Sequence, residues 1–277
     1  MGNRFFENLL ILTKTYPSPS SKYRETTCVA ALNSSGEMRR IFPVPFRLLE
    51  GRSRFTKWEW IKVSTSITSD DNRPESRHID IESIERMGIR IGTKLSWADR
   101  RRWIMPHIIE GFSLLEARRQ DTGATLGFIQ PLRLVELQIK KQKETDWTER
   151  DKTRLLQEGL FDSKEVKNRS LLKKLPYDFY YRYESSSNGE TCIYKHKIVD
   201  WEVGALFWNC LRKHGRNWEE PFRNKLESEL PKKDLMFLMG TIHRFPGQWL
   251  IVGLFYPPKR VQESGAQLSL GLSSANA

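Results

Sequence analysis

The sequence lacks long apolar runs and has few cysteines. No stretch approaches the roughly 20 apolar residues that a membrane-spanning helix needs, so we expect no membrane partner. The three cysteines, Cys28, Cys192 and Cys210, are odd in number and widely spaced, which is typical of a reducing compartment. The early LLIL run has no small-residue cleavage site and is not typical of a signal peptide. We therefore expect a cytoplasmic protein.

Familiar catalytic motifs are also missing. The sequence has no glycine-rich phosphate loop, no GxSxG elbow and no HExxH helix. These absences argue against the common nucleotide hydrolases and zinc proteases. We expect no cofactor, and the sequence leaves open whether the protein is an enzyme.

Positive charge and aromatic side chains are abundant. The 46 Lys and Arg residues outnumber the 34 Asp and Glu residues, which gives a net charge of +12, and 11% of the residues are aromatic. A basic excess of this size favours a polyanionic partner, most commonly nucleic acid. Interleaved aromatics are typical of surfaces on which bases stack. We therefore expect DNA, single- or double-stranded, as the partner; the alternative is a basic surface that is merely solvated.

The first 94 residues show the pattern of a small barrel. Alternating apolar residues predict five strands, with a tight turn at Asn33–Gly36 between the second and third. The predicted strands span residues 8–15, 25–32, 37–43, 57–65 and 78–87, and residues 45–50 form a short helix between the third and fourth. This order is typical of the OB fold, a Greek-key barrel that holds oligonucleotides. An SH3-like barrel is the alternative.

The rest of the chain repeats the order of elements but not the sequence. Residues 95–126 are predicted to form a helical connector, and residues 127–258 show three strands, a helix and two further strands. The predicted fold is mainly β with helical insertions (α+β), as two OB-like Greek-key barrels joined by the connector. Residues 259–277 lack a core pattern, so we expect a disordered tail, although its QLSLGL run could dock a partner.

Several stretches resemble a known family. They are LTKTYPSPSSKYRETTCVAAL (residues 12–32), GEMRRIFPVPFR (36–47), RPES (73–76), HKIVDWE (196–202) and MGTIHRFPGQWLIVGLFYPP (239–258). The chain resembles bacterial dual-OB-domain proteins over nearly its whole length except the tail. That resemblance implies two OB folds and a setting in DNA-modification or phage-defence gene clusters, whose proteins are further candidate partners. It implies no catalytic residue.

Basic and aromatic residues on the predicted strands are the candidate nucleic-acid contacts. Arg39 and Arg40 are adjacent, so only one of them can face a groove. Trp58 and Trp60 either stack on bases or fill the core, and Tyr181 and Tyr183 share the strand face opposite Tyr180 and Arg182. The full predicted set is Arg39, Arg40, Lys57, Trp58, Trp60, Lys62, Arg182, Tyr183, His243 and Arg244.

Catalytic and metal sites have weaker candidates. The possible catalytic residues are Cys28, Asp71, Arg73, Glu75, His196, Asp200 and Glu202. The ordinary alternatives are a buried thiol, a solvated turn and helix capping by Asp200 and Glu202. Cys192 and His196 lie about 13 Å apart on a strand and cannot share an ion. Cys210 and His214 are one helical turn apart and are weak metal candidates, and the carboxylates of Asp70, Asp71 and Glu75 could also bind a metal or position a base; we expect no metal.

Three functions follow as hypotheses. The first is a dual-OB protein that binds DNA in a modification or defence system. The second is an enzyme that alters a modified base, such as one of the 7-deazaguanine type, by hydrolysis or hydration in a cleft between the barrels. The third is an adaptor that docks a neighbouring enzyme.

Overall fold

The computed structural model describes residues 4–67, 70–156, 170–187 and 189–259. The chain is mainly β, as predicted, and forms two seven-stranded sheets. The strands are β1 (Arg4–Lys14), β2 (Ser18–Ser20), β3 (Arg24–Asn33), β4 (Met38–Val44), β5 (Glu59–Ser66), β6 (Ser76–Ile79), β7 (Glu85–Arg90), β8 (Ile108–Ile109), β9 (Leu126–Ile129), β10 (Arg133–Lys141), β11 (Tyr177–Ser187), β12 (Glu190–Ile198), β13 (Met236–Ile242) and β14 (Phe245–Phe255). Of the predicted tail, only Lys259 lies within the described residues.

Five strands of the first sheet close into a barrel. The long strand β1 pairs with β5 through its first half and with β3 through its second half. The circuit is completed by β3 with β4, β4 with β6 and β6 with β5, and only the β4–β6 pair is parallel. Side chains that alternate along these strands, such as Leu9, Ile11, Ile61 and Val63, fill the interior and are fully buried.

The fifth barrel strand is shorter than the sequence pattern predicts. The pattern predicts one strand over residues 78–87, but β6 ends at Ile79. The carboxylate of Asp80 accepts a hydrogen bond from the Glu82 N–H at 3.3 Å and begins a 3-10 turn over Ile81–Ser83. The chain then forms β7 outside the barrel, against β5. A short side chain that bonds to the backbone has interrupted an alternating pattern.

The second sheet has the order β10-β11-β12-β14-β13-β9-β8, with β12 and β14 parallel. Its helices are α1 (Lys94–Ile104), α2 (Phe112–Thr122), α3 (Glu149–Leu156), α4 (Trp201–His214) and α5 (Glu219–Arg223), and a π-helical segment spans Asn224–Glu229. The longest of these helices has 14 residues, and no helix in the described part of the chain has the length and apolar character needed to cross a membrane.

The two halves share a hydrophobic core. The outward-facing side chains of β1 and β3, including Leu10, Leu12 and Leu32, pack on residues of the second sheet. Those partners include Phe128 on β9, Leu238 on β13 and Phe255 on β14, all fully buried. The outer face of the barrel at β1 and β3 is therefore an internal surface of the protein.

Candidate nucleic-acid interface

A buried ionic cluster links the two halves at the edge of this shared core. Arg40, 4% exposed, donates from Nη2 to the Thr125 carbonyl oxygen at 3.0 Å and to its hydroxyl at 3.1 Å. The carboxylate of Glu75 lies 3.5 Å from the same Nη2 and accepts a hydrogen bond from the Thr125 N–H at 3.0 Å. The Cys28 sulfur lies 3.9 Å from Arg40 Nη1. The buried Nε of Arg40 has no hydrogen-bond partner, so the contacts that its Nη2 atom makes with Thr125 link the two halves here.

The loop between β5 and β6 makes a second link. Arg73 donates from Nη1 to the Thr241 carbonyl oxygen at 2.9 Å, while its other nitrogens bind the Asp71 carboxylate at 2.6 and 2.8 Å. Burial alone raises the pKa of Asp71, but the Arg73 guanidinium outweighs that effect and lowers it to about 2. His243 approaches Asp71 at 4.0 Å. Arg73 therefore pairs with Asp71 and not with Glu75, and through Thr241 it joins the two halves.

Burial removes several predicted nucleic-acid contacts from the surface. Trp58 is 2% exposed and packs edge-on against Phe255, with ring centroids 5.6 Å apart. Trp60 is half-buried and packs on Trp103 at 5.2 Å. Lys57 donates to Glu202 at 3.0 Å, across the boundary between the halves. Together with Arg40, these side chains hold the halves together instead of facing solvent.

Two other predicted contacts of the first half lie away from the shared core. The Arg39 side chain is 11% exposed and forms ion pairs with Glu7 at 2.7 Å and Glu37 at 2.6 Å. Lys62 is exposed and lies over the ring of Phe6 at 5.4 Å. His243 and Arg244 form the exposed turn between β13 and β14. Of these four predicted contacts, Lys62, His243 and Arg244 are accessible to a ligand.

The two faces of the aromatic strand β11 have different environments, one in the core and one at the surface. Tyr181 and Tyr183 are fully buried in the core of the second half, so the predicted contact by Tyr183 is not available. Its hydroxyl lies 3.0 Å from His196 Nδ1. Tyr180 and Arg182 occupy the opposite face, where Arg182 is accessible and pairs with Glu136 at 3.0 Å. The outer face of β11 is therefore the one that can meet a ligand.

This outer face, formed by β10, β11 and β12 and called here the free face, combines one aromatic ring with several cations. The ammonium groups of Lys140 and Lys195 lie over the Tyr180 ring, 5.6 and 5.4 Å from its centroid. Both lysines are exposed. The acidic residues beside them are already paired: Glu136 with Arg182, Asp178 with Lys197 and Glu184 with Arg133. Among the described residues, Lys140 and Lys195 have no acidic partner.

An open cavity of about 640 Å³ adjoins the free face. Its polar walls are Glu136, Gln138, Lys140, Lys195, Arg223 and Glu227. Arg223 and Glu227 come from the helical segment that follows α4, and they bond to the backbone of Leu137 at the outer edge of β10. The free face thus has both an aromatic surface and a neighbouring recess with donors and acceptors.

The acid and base candidates do not converge on one pocket. His196 contacts Tyr183, Tyr194 and Phe112 in the second half, and burial lowers its pKa to about 4. These neighbours include no member of the Arg40–Glu75 cluster.

Asp200 acts as the cap of α4, as the capping alternative predicts. Its carboxylate accepts hydrogen bonds from the N–H groups of Glu202 and Leu254, both at 2.8 Å. Burial raises the pKa of Asp200 to about 6. Glu202 is about half exposed and pairs with Lys57. This arrangement secures the helix and provides no acid–base pair aimed at a cavity shared with His196 or Cys28.

The two metal candidates differ in their exposure to solvent. Cys210 is buried in the core of the second half, whereas His214 at the end of α4 is exposed. Within the described ranges, no group of three or more His, Cys, Asp or Glu side chains could hold a metal ion.

The residues that sequence reasoning missed are Lys140, Tyr180 and Lys195. A usable signal was present, because the alternation in YDFYYRYE places Tyr180 and Arg182 on one face of the strand. The missing information was which face of that strand the core would cover.

Comparison with known families gives two matches. Residues 6–106 match the model described as Domain of unknown function (DUF8758), which covers the barrel and α1. Residues 111–271 match the model described as Domain of unknown function (DUF8757). No curated protein matches the sequence. Because the second match spans more than half of the 277 residues, the chain belongs to the family of the domain of unknown function DUF8757.

Proposed function

We propose that the protein binds single-stranded nucleic acid on the free face, and that both halves are OB folds. The first half supports this fold through its order β1-β3-β4-β6-β5, which returns to β1. The second half has the same order, β10-β11-β12-β14-β13, with its parallel pair at the corresponding place. Each half also has helical segments between its third and fourth barrel strands along the chain, which are β4 and β5 in the first half and β12 and β13 in the second.

A break in one strand explains why the second sheet is open. In the first half, the single strand β1 pairs with both of its neighbours. In the second half β9 pairs with β13, while β10 pairs with β11. Only residues 130–132 separate β9 from β10, and Pro131 among them has no N–H to continue a ladder. We therefore treat β9 and β10 as one interrupted first strand of a second barrel.

Side chains replace the missing ladder at the gap. Glu227 accepts a hydrogen bond from the Leu137 N–H at 2.8 Å, and Arg223 donates to the Leu137 carbonyl oxygen at 2.8 Å. These are the two backbone groups that a neighbouring strand would otherwise satisfy. The helical segment thus covers the edge of β10 where β13 would lie in a closed barrel.

The observation that carries the functional proposal is Tyr180 between Lys140 and Lys195. OB folds hold oligonucleotides on the face of their second and third strands, which in the second half are β11 and β12. An accessible aromatic side chain can stack on a base, and unpaired lysines attract phosphates. Stacking needs an unpaired base, so this arrangement favours a single strand over a duplex. The net charge of +12 adds long-range attraction.

The resemblance to dual-OB proteins supplies the proposed setting. Proteins of that kind are associated with DNA-modification and defence gene clusters, so we propose DNA as the natural ligand. No observation on the Cys28, Glu75 or His196 side chains favours a reaction.

Binding of a short labelled oligonucleotide, measured by fluorescence anisotropy, tests the proposal. The unmodified protein should bind single-stranded DNA at low salt, with an affinity that falls steeply as salt rises. The double variant Lys140→Glu, Lys195→Glu should bind roughly tenfold or more weakly. The matched control is the double variant Lys232→Glu, Lys233→Glu, which makes the same change in net charge; the Lys233 ammonium also lies over a tyrosine ring, Tyr256, at 5.3 Å but outside the free face. The proposal fails if the protein binds no DNA at low salt, or if the control weakens binding as much as the variant of Lys140 and Lys195.

A further inference from the structure

Side chains of the free face lie in two rows that cross its three strands. From β10 to β12, the first row is Gln138, Tyr180 and Lys197, and the second row is Glu136, Arg182 and Lys195. Residues two positions apart on a strand project to the same side of a sheet, so both rows belong to one surface. Tyr180 therefore has Gln138 directly beside it and Glu136 as a diagonal neighbour on β10.

The two lysines without acidic partners lie on opposite sides of Tyr180. Lys195 belongs to β12 in the second row, whereas Lys140 lies on β10 beyond the first row, two positions after Gln138. Both ammonium groups lie over the Tyr180 ring. Phosphates bound by these lysines would therefore place a nucleic acid strand along a line that crosses the ring.

The open cavity of about 640 Å³ beside the free face, called here the recess, lies on one side of this line. Its walls include both lysines together with Glu136 and Gln138. On the other side of the line, Lys197 and Asp178 form an ion pair at 2.7 Å. A base that stacks on Tyr180 therefore finds space for its edge on the side of Glu136 and Gln138.

Glu136 offers an ionised acceptor at the wall of the recess. The Gln138 amide, followed by Arg182 and the charge of Arg223, lowers the pKa of Glu136, although burial opposes them. Arg182 donates from Nη1 to Glu136 Oε2 at 3.0 Å and fixes the direction of the carboxylate. A carboxylate can accept about four hydrogen bonds, and the Glu136 side chain is 40% exposed. Acceptor capacity therefore remains for a ligand.

Guanine is the base whose pairing edge suits a carboxylate. Its N1–H and its N2 amino group are adjacent donors, and they match the two oxygens of a carboxylate in a charge-assisted pair. Adenine and cytosine each place a ring acceptor beside one amino group, and thymine places one N–H between two carbonyl oxygens. Each of these three bases would therefore set an acceptor against the carboxylate. The guanine O6 atom can in turn accept a hydrogen bond from the Gln138 amide.

We infer that the free face selects guanine, which stacks on Tyr180 and donates from N1 and N2 to the Glu136 carboxylate. The inference rests on the proposed function and names the base that this surface prefers. Proteins that bind single strands commonly read bases on this pairing edge, which a duplex hides. Recognition by Glu136 is therefore a second reason why the free face requires an unpaired strand.

Three short labelled oligonucleotides test the inference by fluorescence anisotropy. They consist of thymidine except for one central deoxyguanosine, deoxyadenosine or deoxyinosine. Because adenine is also a purine and stacks similarly, the comparison of guanine with adenine isolates the contacts at the base edge. The unmodified protein should bind the guanine strand about tenfold or more tightly than the adenine strand. Inosine keeps N1–H but lacks the N2 amino group, so its strand should bind with intermediate affinity.

The variant Glu136→Gln replaces one carboxylate acceptor by an amide donor and should reduce the ratio of guanine to adenine affinity to less than about threefold. The ratio is compared because removal of a negative charge strengthens the binding of every strand. The matched control is Glu184→Gln. Glu184 also lies on the outer face of β11 and pairs with an arginine, Arg133, but it does not line the recess. The control should keep the ratio of the unmodified protein, and an unchanged midpoint of thermal unfolding checks the fold of both variants.

The outcomes separate the base preference from the proposed function. A ratio near one for the unmodified protein overturns the preference, as does a ratio that Glu136→Gln leaves unchanged or that Glu184→Gln reduces equally. If all three strands bind equally well, only the preference for guanine is wrong. If no strand binds at low salt, the proposed function is wrong and the preference is wrong with it.

Discussion

The two halves of the molecule have the same order of strands, but the outer face of the sheet is covered in one half and accessible in the other. In the first half, the outer face of β1, β3 and β4 carries Leu10, Leu12, Leu32 and Arg40, and the second half covers it. In the second half, the equivalent face carries Tyr180, Arg182, Lys195 and Lys197 and stays accessible. The side chains on the outer face show which half is buried against its neighbour on that face and which half leaves the face accessible.

This contrast also explains why the basic residues of the first half are poor contacts. Arg40 and Lys57 neutralise carboxylates at the boundary between the halves, so their charge holds the protein together. Lys140 and Lys195 have no such partner among the described residues. The Lys and Arg side chains therefore divide into those neutralised by carboxylates within the fold and those available to a ligand.

The largest loss of stability should come from a substitution in the buried ionic cluster between the two halves. Replacing Arg40 by Met leaves Glu75, 7% exposed, without its cation, and should lower the free energy of unfolding by about 3–5 kcal/mol. Arg182→Met on the free face, where the side chain is 37% exposed, should cost less than about 1 kcal/mol. Urea unfolding of the two variants measures the difference. Similar losses would contradict the contrast between the two faces.

The second effect is a pH dependence of the free energy of unfolding that comes from His196 in the second half. The folded pKa of His196 is about 4 because of burial, whereas the unfolded value is about 6.5. Between these values only the unfolded chain binds the proton, so the free energy of unfolding should fall as the pH drops from about 6.5 to about 4, by up to roughly 3 kcal/mol. His196→Gln should remove this part of the pH dependence. A variant with the same pH profile as the unmodified protein would show that His196 titrates normally.

A third effect compares an aromatic residue from each half. Tyr180→Ala should weaken binding of single-stranded DNA by about 5- to 150-fold, which corresponds to the loss of about 1–3 kcal/mol of stacking. Trp60→Phe keeps an aromatic ring packed on Trp103 in the covered half and should leave the DNA affinity unchanged. Anisotropy titrations of the two variants at one salt concentration make the comparison. Equal weakening would move the binding surface to the first half.

The smallest effect is expected at the exposed rim of the boundary. Glu202 is 51% exposed and pairs with Lys57 across the two halves. Glu202→Gln should lower the free energy of unfolding by less than about 1 kcal/mol, because solvent screens the pair. The loss should shrink further at high salt. A loss as large as that of Arg40→Met would mean that the rim, and not the buried cluster, holds the halves together.

Much of the fold follows from local pattern. The turn at Asn33–Gly36, the strands around it and the capping of α4 by Asp200 rest on chemistry within a few residues, and the structure has all three. The run Leu9–Leu12 is apolar at every position and fully buried. A strand of this kind is covered on both faces, so the run itself indicates that the outer face of β1 is covered. The sequence pattern predicts too long a fifth barrel strand. The alternation of apolar residues continues past Ile79, although Asp80 turns the chain there.

The candidate site depended on information that no local pattern contains. Alternation in β11 divides Tyr181 and Tyr183 from Tyr180 and Arg182, but both pairs are equally able to face a core or a ligand. The helices α4 and α5 decide this by packing on Phe179, and the π-helical segment accepts a hydrogen bond from Tyr181 on the same side. Likewise, Arg40 is equally suited to bind a phosphate or a carboxylate. It lies near the Glu75 carboxylate because Thr125 of the second half packs beside both side chains.

The sequence by itself determined a mainly β chain with a basic, aromatic-rich composition and two similar orders of strands. Local hydrogen bonding and side-chain alternation act over a few residues, and they suffice for these properties. Only the tertiary structure decided which of the two outer faces is covered and which is free. That choice depends on contacts between residues more than 80 positions apart, such as Arg40 with Thr125, whose free energy depends on the burial that the assembled halves create.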